Sequence, residues 1–133
     1  MTTDTWRPEN PASEESLKLL KDQAGFPLPE AYLAQLRSSN GGEGCLSVEP
    51  GWISLWRAEE VLSMNSDYRV GEFAHGLWGF GSNCGGELLA FDLRGGEPYP
   101  VVMVPFIGMA LSEAQQISEC FDEFRGHIGR SAS

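Results

Sequence analysis

Apolar positions are sparse over residues 1–12, which carry Pro8 and Pro11 and read as a loose, flexible N-terminal arm. A helical period then begins. Leu17, Leu20 and Ala24 share one face, Ser13 stands where an N-cap is needed, Glu14 and Glu15 suit the first turn, and Gly25 is the stop. Pro29 fits the first turn of a second helix, with Tyr32, Leu33 and Leu36 as its buried stripe and Asn40-Gly41-Gly42 as its end. The period next drops to two. Leu46 and Val48 alternate with polar neighbours, Pro50-Gly51 predicts a type II turn, and Trp52 to Trp56 predicts the returning strand.

Arg57 to Met64 reads as a short helix with Ala58, Val61 and Leu62 inward, and with Glu59 and Glu60 on its outer face, free of core duties. Strands are predicted over 77–81, 88–93 and 101–104, the last bracketed by Pro100 and Pro105. Ser112-Glu113-Ala114-Gln115 has the form of a capping box, predicting a final helix with Ile117, Phe121 and Phe124 on its buried face. The order of elements predicts one α+β domain, over residues 13–128, with a mainly antiparallel sheet packed by about four helices; residues 129–133 read as a tail.

At 133 residues the chain has the size of one domain, and it can bury roughly two-thirds of its unfolded surface without staples. Cys45, Cys84 and Cys120 are odd in number and widely spaced, which fits neither a disulfide framework nor a zinc site. No N-terminal leader pattern and no apolar run long enough to span a bilayer is visible. A cytoplasmic location is expected, with no cofactor and no metal.

Charge is the most informative of the bulk properties. The formal net charge is −10, and residues 43–123 account for all of it, with thirteen acids against Arg57, Arg69 and Arg94. Such a surface repels nucleic acid and anionic membrane, whose binding needs clustered Lys and Arg. It favours a basic protein partner, although plain solubility also explains an acidic chain. Glu43, Glu49, Glu59, Glu60, Glu72, Glu87 and Glu97 are expected to present the field. Trp52 joins the first six of these as a candidate contact, because it lies outward if Ile53 and Leu55 face the core. The alternative has Trp52 and Trp56 packed under helices, and burial is favoured for Trp56.

Enzyme readings find little footing. The glycine-rich run from Gly79 to Gly86 is followed by Glu87, where a phosphate-binding loop carries lysine, and its flanks read as strands, so it is a hairpin turn. His75 and Cys84 leave a Cys–His nucleophile open, without an orienting group in view. An inert cysteine is the plainer reading.

The segment Phe26-Pro27-Leu28-Pro29-Glu30-Ala31-Tyr32, then Leu36 and Asn40-Gly41-Gly42, resembles the opening signature of the SUKH superfamily. Within it the match is to the fungal cell-wall-synthesis regulators named Smi and Knr and their bacterial relatives. Leu55-Trp56, Glu60, Asn65, Tyr68, Phe80-Gly81-Ser82, Gly85-Gly86 and Leu89-Ala90-Phe91-Asp92 continue the resemblance. It implies an α+β fold without catalytic machinery. It further implies an immunity protein that binds a toxin domain, often a nuclease, or alternatively a stand-alone scaffold recognising an endogenous protein. No binding residues transfer, since members meet unrelated toxins through different surfaces.

Overall fold

Among the described residues seven antiparallel strands run side by side in chain order, so each hydrogen-bonds to its neighbours in the sequence of strands. The computed structural model describes residues 4–131. The strands are β1 (Trp6–Arg7), β2 (Gly42–Cys45), β3 (Trp52–Leu55), β4 (Leu77–Ser82), β5 (Glu87–Asp92), β6 (Val101–Pro105) and β7 (Gln115–Ser118). The helices are α1 (Glu14–Ala24), α2 (Glu30–Ser38), α3 (Val61–Asp67), α4 (Val70–Phe73) and α5 (Phe121–Arg125). The expected single α+β domain with a mainly antiparallel sheet is what forms, with five helices among the described residues, two of them a turn or little more.

The first two helices follow their caps. The Ser13 side chain accepts from the Ser16 N–H, and Gly25 closes α1 at φ 84°, in the left-handed region that glycine enters without penalty. Tyr32, at the start of α2, is the hub of the core. Its ring lies 5.3 Å from Phe91, 5.5 Å from Phe121 and 6.0 Å from both Trp78 and Phe80, mostly edge-on. These rings bind α2 and α5 to one face of the central strands. On the opposite face of β4, Gly79 looks toward Trp56 and Asn65, and α3 covers it.

Four expectations need correction. Part of the supposed loose arm is a strand: β1 pairs with β2 in the register Trp6↔Gly44, and Ala12 is buried with its N–H on the Leu36 carbonyl. Gly44 makes this possible, because any Cβ there would strike the Thr5 carbonyl and the Trp6 backbone. The tail is likewise tied at Gly129, whose N–H donates to the Cys45 carbonyl at 2.8 Å. Residues 1–3 and 132–133 of the expected arm and tail lie outside the described residues.

The turn before β3 is the second correction. Gly51 N–H donates to the Val48 carbonyl, so the turn centres on Glu49-Pro50, joined by a cis peptide, one residue earlier than a Pro-Gly turn would. Leu46, expected in a strand, makes an isolated bridge to Ile128. Third, regular helix begins at Val61 rather than Arg57, although the Arg57 carbonyl already accepts from the Val61 N–H at 3.0 Å.

Fourth, the capping box at Ser112 caps nothing. Leu111–Glu113 is one 3-10 turn without a side-chain cap, and Gln115–Ser118 becomes β7 on the outer edge of β6. Only Phe121 and Phe124 of the predicted stripe are helical and buried, while Ile117 lies half-buried in the strand. Edge pairing along the valine-rich β6 outweighs the local helix signal.

Candidate partner-binding surface

Two of the concavities at the described residues bear on partner binding. The first is an open polar groove of about 380 Å³ at the β1–β2–β3 end of the sheet, lined by Arg7, Glu43, Ser54, Arg57 and Glu60 among others. The register Gly42↔Leu55 and Glu43↔Ser54 places these residues on adjacent strands, and the turn after β3 brings Arg57 and Glu60 alongside. Arg7 pairs with Glu43 at 3.2 Å and Arg57 with Glu60 at 3.6 Å, so the groove is nearly charge-balanced.

The structure thus brings Glu43 and Glu60 together and separates the other candidates. Glu49 is exposed in the turn at the far end of β2–β3, near half-buried Trp52, which pairs with Cys45. Glu72 lies on α4 beside Arg69 at 3.6 Å, and Glu87 opens β5, accepting a long 3.4 Å hydrogen bond from Asn83. Trp56 is buried, as favoured; Ile53 and Leu55 face the core, and Trp52 is the partly exposed tryptophan of β3.

Glu59 and Glu60 are not the idle charges expected of a helix's outer face. Glu59 accepts from the Asn40 amide at 2.7 Å, and hydrogen bonds from Ser16 and Asn40 hold its carboxyl below the ordinary value. Glu60 reaches back to the Arg57 N–H at 3.1 Å, the return half of a capping box. Both tie the segment after β3 in place. The tertiary partners Asn40 and Ser16 are distant in sequence, which is why the role was not visible there.

The charge excess is uncompensated. Arg57, Arg69 and Arg94, the bases of the acidic segment, are already paired with Glu60, Glu72 and Asp92. Among the described residues nine acids of that segment make no ion pair, Glu49, Glu87 and Glu97 included.

The second concavity, of about 420 Å³, is a mainly apolar cleft where the starts of α2 and α5 meet the loop before β6. Pro29, Ala31, Pro98 and Phe121 form its walls, and Glu30, Glu97 and Asp122 line it as well. Its three segments are remote in sequence, and no periodicity marks them.

The glycine-rich run is a hairpin turn, in which the Asn83 side-chain oxygen accepts from the Gly85 and Glu87 N–H groups. His75 and Cys84 lie beyond opposite ends of the six-residue β4, a strand roughly 20 Å long, so they form no nucleophile–base pair. His127 is instead bonded through Nδ1 to Ser47 Oγ at 2.7 Å, next to the backbone link from Ser47 N–H to the His127 carbonyl. This strap fastens the chain after α5 to the β2 extension. Among the described residues no three His, Cys, Asp or Glu side chains gather as metal ligands, and no helix is long and apolar enough to cross a membrane.

A small α+β domain whose sheet is a simple meander and whose surface is acidic without internal compensation is the class that fold and surface define. The chain belongs to the SMI1 / KNR4 family (SUKH-1), whose model matches residues 11–126. Members of that family are known generally as non-catalytic immunity proteins of polymorphic toxin systems. A search among curated proteins found no match to the chain.

Proposed function

We propose that the protein is a cytoplasmic immunity protein that binds and neutralises a basic, nuclease-like toxin domain. Family membership supplies the class of partner. The observation that carries the basic character is that every arginine of the acidic segment is already consumed by a local ion pair. The remaining carboxylates therefore project a field that only counter-ions or a partner can neutralise. A nuclease surface built to hold phosphates is a matching partner, and the acids occupy it as phosphates would. The candidate contacts are Glu43, Glu49, Trp52, Glu59, Glu60, Glu72 and Glu87; among the described residues Glu49, Glu59 and Glu87 make no ion pair, and of these Glu59 is held by Asn40.

The test is co-expression with a toxin domain encoded next to the protein's own gene, where one is found, followed by stopped-flow association of the purified pair. Protection of the host is expected, with association slowing as salt rises through ~0.15 M, where charges are screened beyond ~8 Å. Reversal of Glu49 and Glu87 to Lys should slow association more than reversal of Glu15 and Asp22 to Lys, an equal change of charge outside the acidic segment. Absence of rescue rejects the immunity role. Rescue with an on-rate indifferent to salt and to both reversals rejects the charge mechanism and leaves an apolar contact at Trp52, testable by Trp52→Ala.

A further inference from the structure

The cleft between α2, α5 and the loop before β6 has walls and a rim of opposite character. Phe121 is almost fully buried and Tyr99 nearly so, and Tyr99 is pinned from behind by Phe26, whose ring centroid is 5.5 Å away. The walls are therefore fixed, apolar and preformed. The rim carries three carboxylates, on Glu30, Glu97 and Asp122, and no Lys or Arg lines the cleft. None of the three makes an ion pair among the described residues.

Glu30 and Asp122 stand in the first turns of α2 and α5, where an acid is also favoured by the helix dipole. Magnitudes decide whether that accounts for them. Each helix end contributes at most about half a positive charge, less for a five-residue helix, so two ends offset roughly one of three carboxylates. Arg37, paired with Glu14, also feels the Glu30 carboxylate, so between about one and two negative charges are left over. The Tyr99 hydroxyl answers the same field: partial burial, and then the Glu97 carboxylate beside it, hold it above the ordinary phenol value.

We infer that this cleft receives one arginine side chain of the protein partner, its aliphatic stem against the apolar walls and its guanidinium among Glu30, Glu97 and Asp122. A cavity of about 420 Å³ lies at the small end of ligand sites and suits one long side chain. The guanidinium is the best-matched cation because its planar fork offers five donors to several acceptors at once and is weakly hydrated. The site rests on the reading of the partner as a basic protein. It adds a specific pocket to what is otherwise a diffuse field.

The test needs no toxin. The probe is the blocked tripeptide acetyl-Gly-Arg-Gly-amide, titrated into the ¹⁵N-labelled protein, with the citrulline peptide as its neutral isostere. Arginine is expected to shift the backbone resonances of residues 29–31, 97–99 and 120–122, and citrulline to leave them unmoved. Glu97→Gln with Asp122→Asn should weaken the response about three- to tenfold, the sum of two partly exposed charge contacts. Glu97→Gln with Glu30→Gln is the second variant, should loss of Asp122 disturb α5. Equal shifts from citrulline would mean a pocket for an uncharged group, and shifts scattered over the acidic surface would mean screening only. Either result overturns the inference. A positive titration alongside failed protection in cells would reject the immunity role and leave the arginine pocket standing.

Discussion

Asn65 offers the sharpest test of how the fold is held. Its side-chain amide donates to the Val61 and Gly79 carbonyls at 2.8 Å each, and its carbonyl accepts from the Gly79 N–H at 2.7 Å. It therefore acts as a surrogate strand neighbour for Gly79, at the point where the β4–β5 register slips between Gly79 and Gly81. A Cβ at Gly79 would lie 2.6 Å from Leu88 Cδ1 and 3.2 Å from Trp56 Cζ3, so a side chain there would force Leu88 to shift. Asn65→Ala removes three hydrogen bonds worth about 1 kcal/mol each and leaves both polar groups of Gly79 without their partner. Water can reach part of the site, so the expected cost is about 3 kcal/mol. For a chain of 133 residues that lowers Tm by roughly 10 °C, taking an unfolding entropy of about 2.1 cal/mol/K per residue. Urea titration and calorimetry read the two numbers independently. Asn65→Asp separates hydrogen bonding from packing: it keeps the shape and the acceptor but sets a carboxylate against two carbonyls, so it should be at least as damaging at neutral pH. A cost for Asn65→Ala inside the surface range of about ±0.5 kcal/mol would falsify the surrogate-strand role.

Phe121→Ala should cost about 3–5 kcal/mol in denaturant titration, because the ring is buried among Tyr32, Phe80, Phe91 and Phe124; a surface-like cost would contradict that packing. Tyr32→Phe should be neutral or stabilising by up to about 1–2 kcal/mol, since the Tyr32 hydroxyl is buried with no hydrogen-bond partner among the described residues; measurable destabilisation would reveal one. Asp92, beside Arg94, and Glu59 both have carboxyls held below their ordinary values of 3.8 and 4.5. Their contribution to stability is thus complete above those values and lost as pH falls through the lower folded-state ones. Asp92→Asn and Glu59→Gln should be less stable than the parent at pH 7, with the gap closing toward pH 3 in thermal melts; a gap independent of pH would dissociate these carboxyls from acid unfolding.

Local signals were the legible ones. Ser13, Gly25 and the Leu17–Leu20 spacing identified α1 almost to the residue, and the glycine-rich turn between two apolar runs identified the β4–β5 hairpin. Caps, turns and periodicity act over a few residues and so are written consecutively. β1 and β7 were missed because a strand of two or four residues has little period of its own and exists through its partner, Gly44 for Trp6 and Met103 for Gln115. The acidic excess was legible as composition. Its distribution was not: that Glu59 would be held by Asn40 and Ser16, or that residues 29–31, 97–99 and 120–122 would converge on one cleft, depends on how distant segments pack.

The meander order of the sheet bears on how the protein reaches its native state in time. With no strand inserted between two earlier ones, each new strand meets an edge already made, and the chain can add its sheet from one side as it leaves the ribosome. Ring closure entropy is spent in short steps rather than in one long-range pairing, which favours rapid folding. The finished sheet ends in a two-residue strand on one side and, on the other, in a four-residue strand that begins with exposed Gln115 and Gln116, so little free edge is left to recruit a second copy. Edges this short lessen the chance that copies pair edge to edge when the chain is abundant.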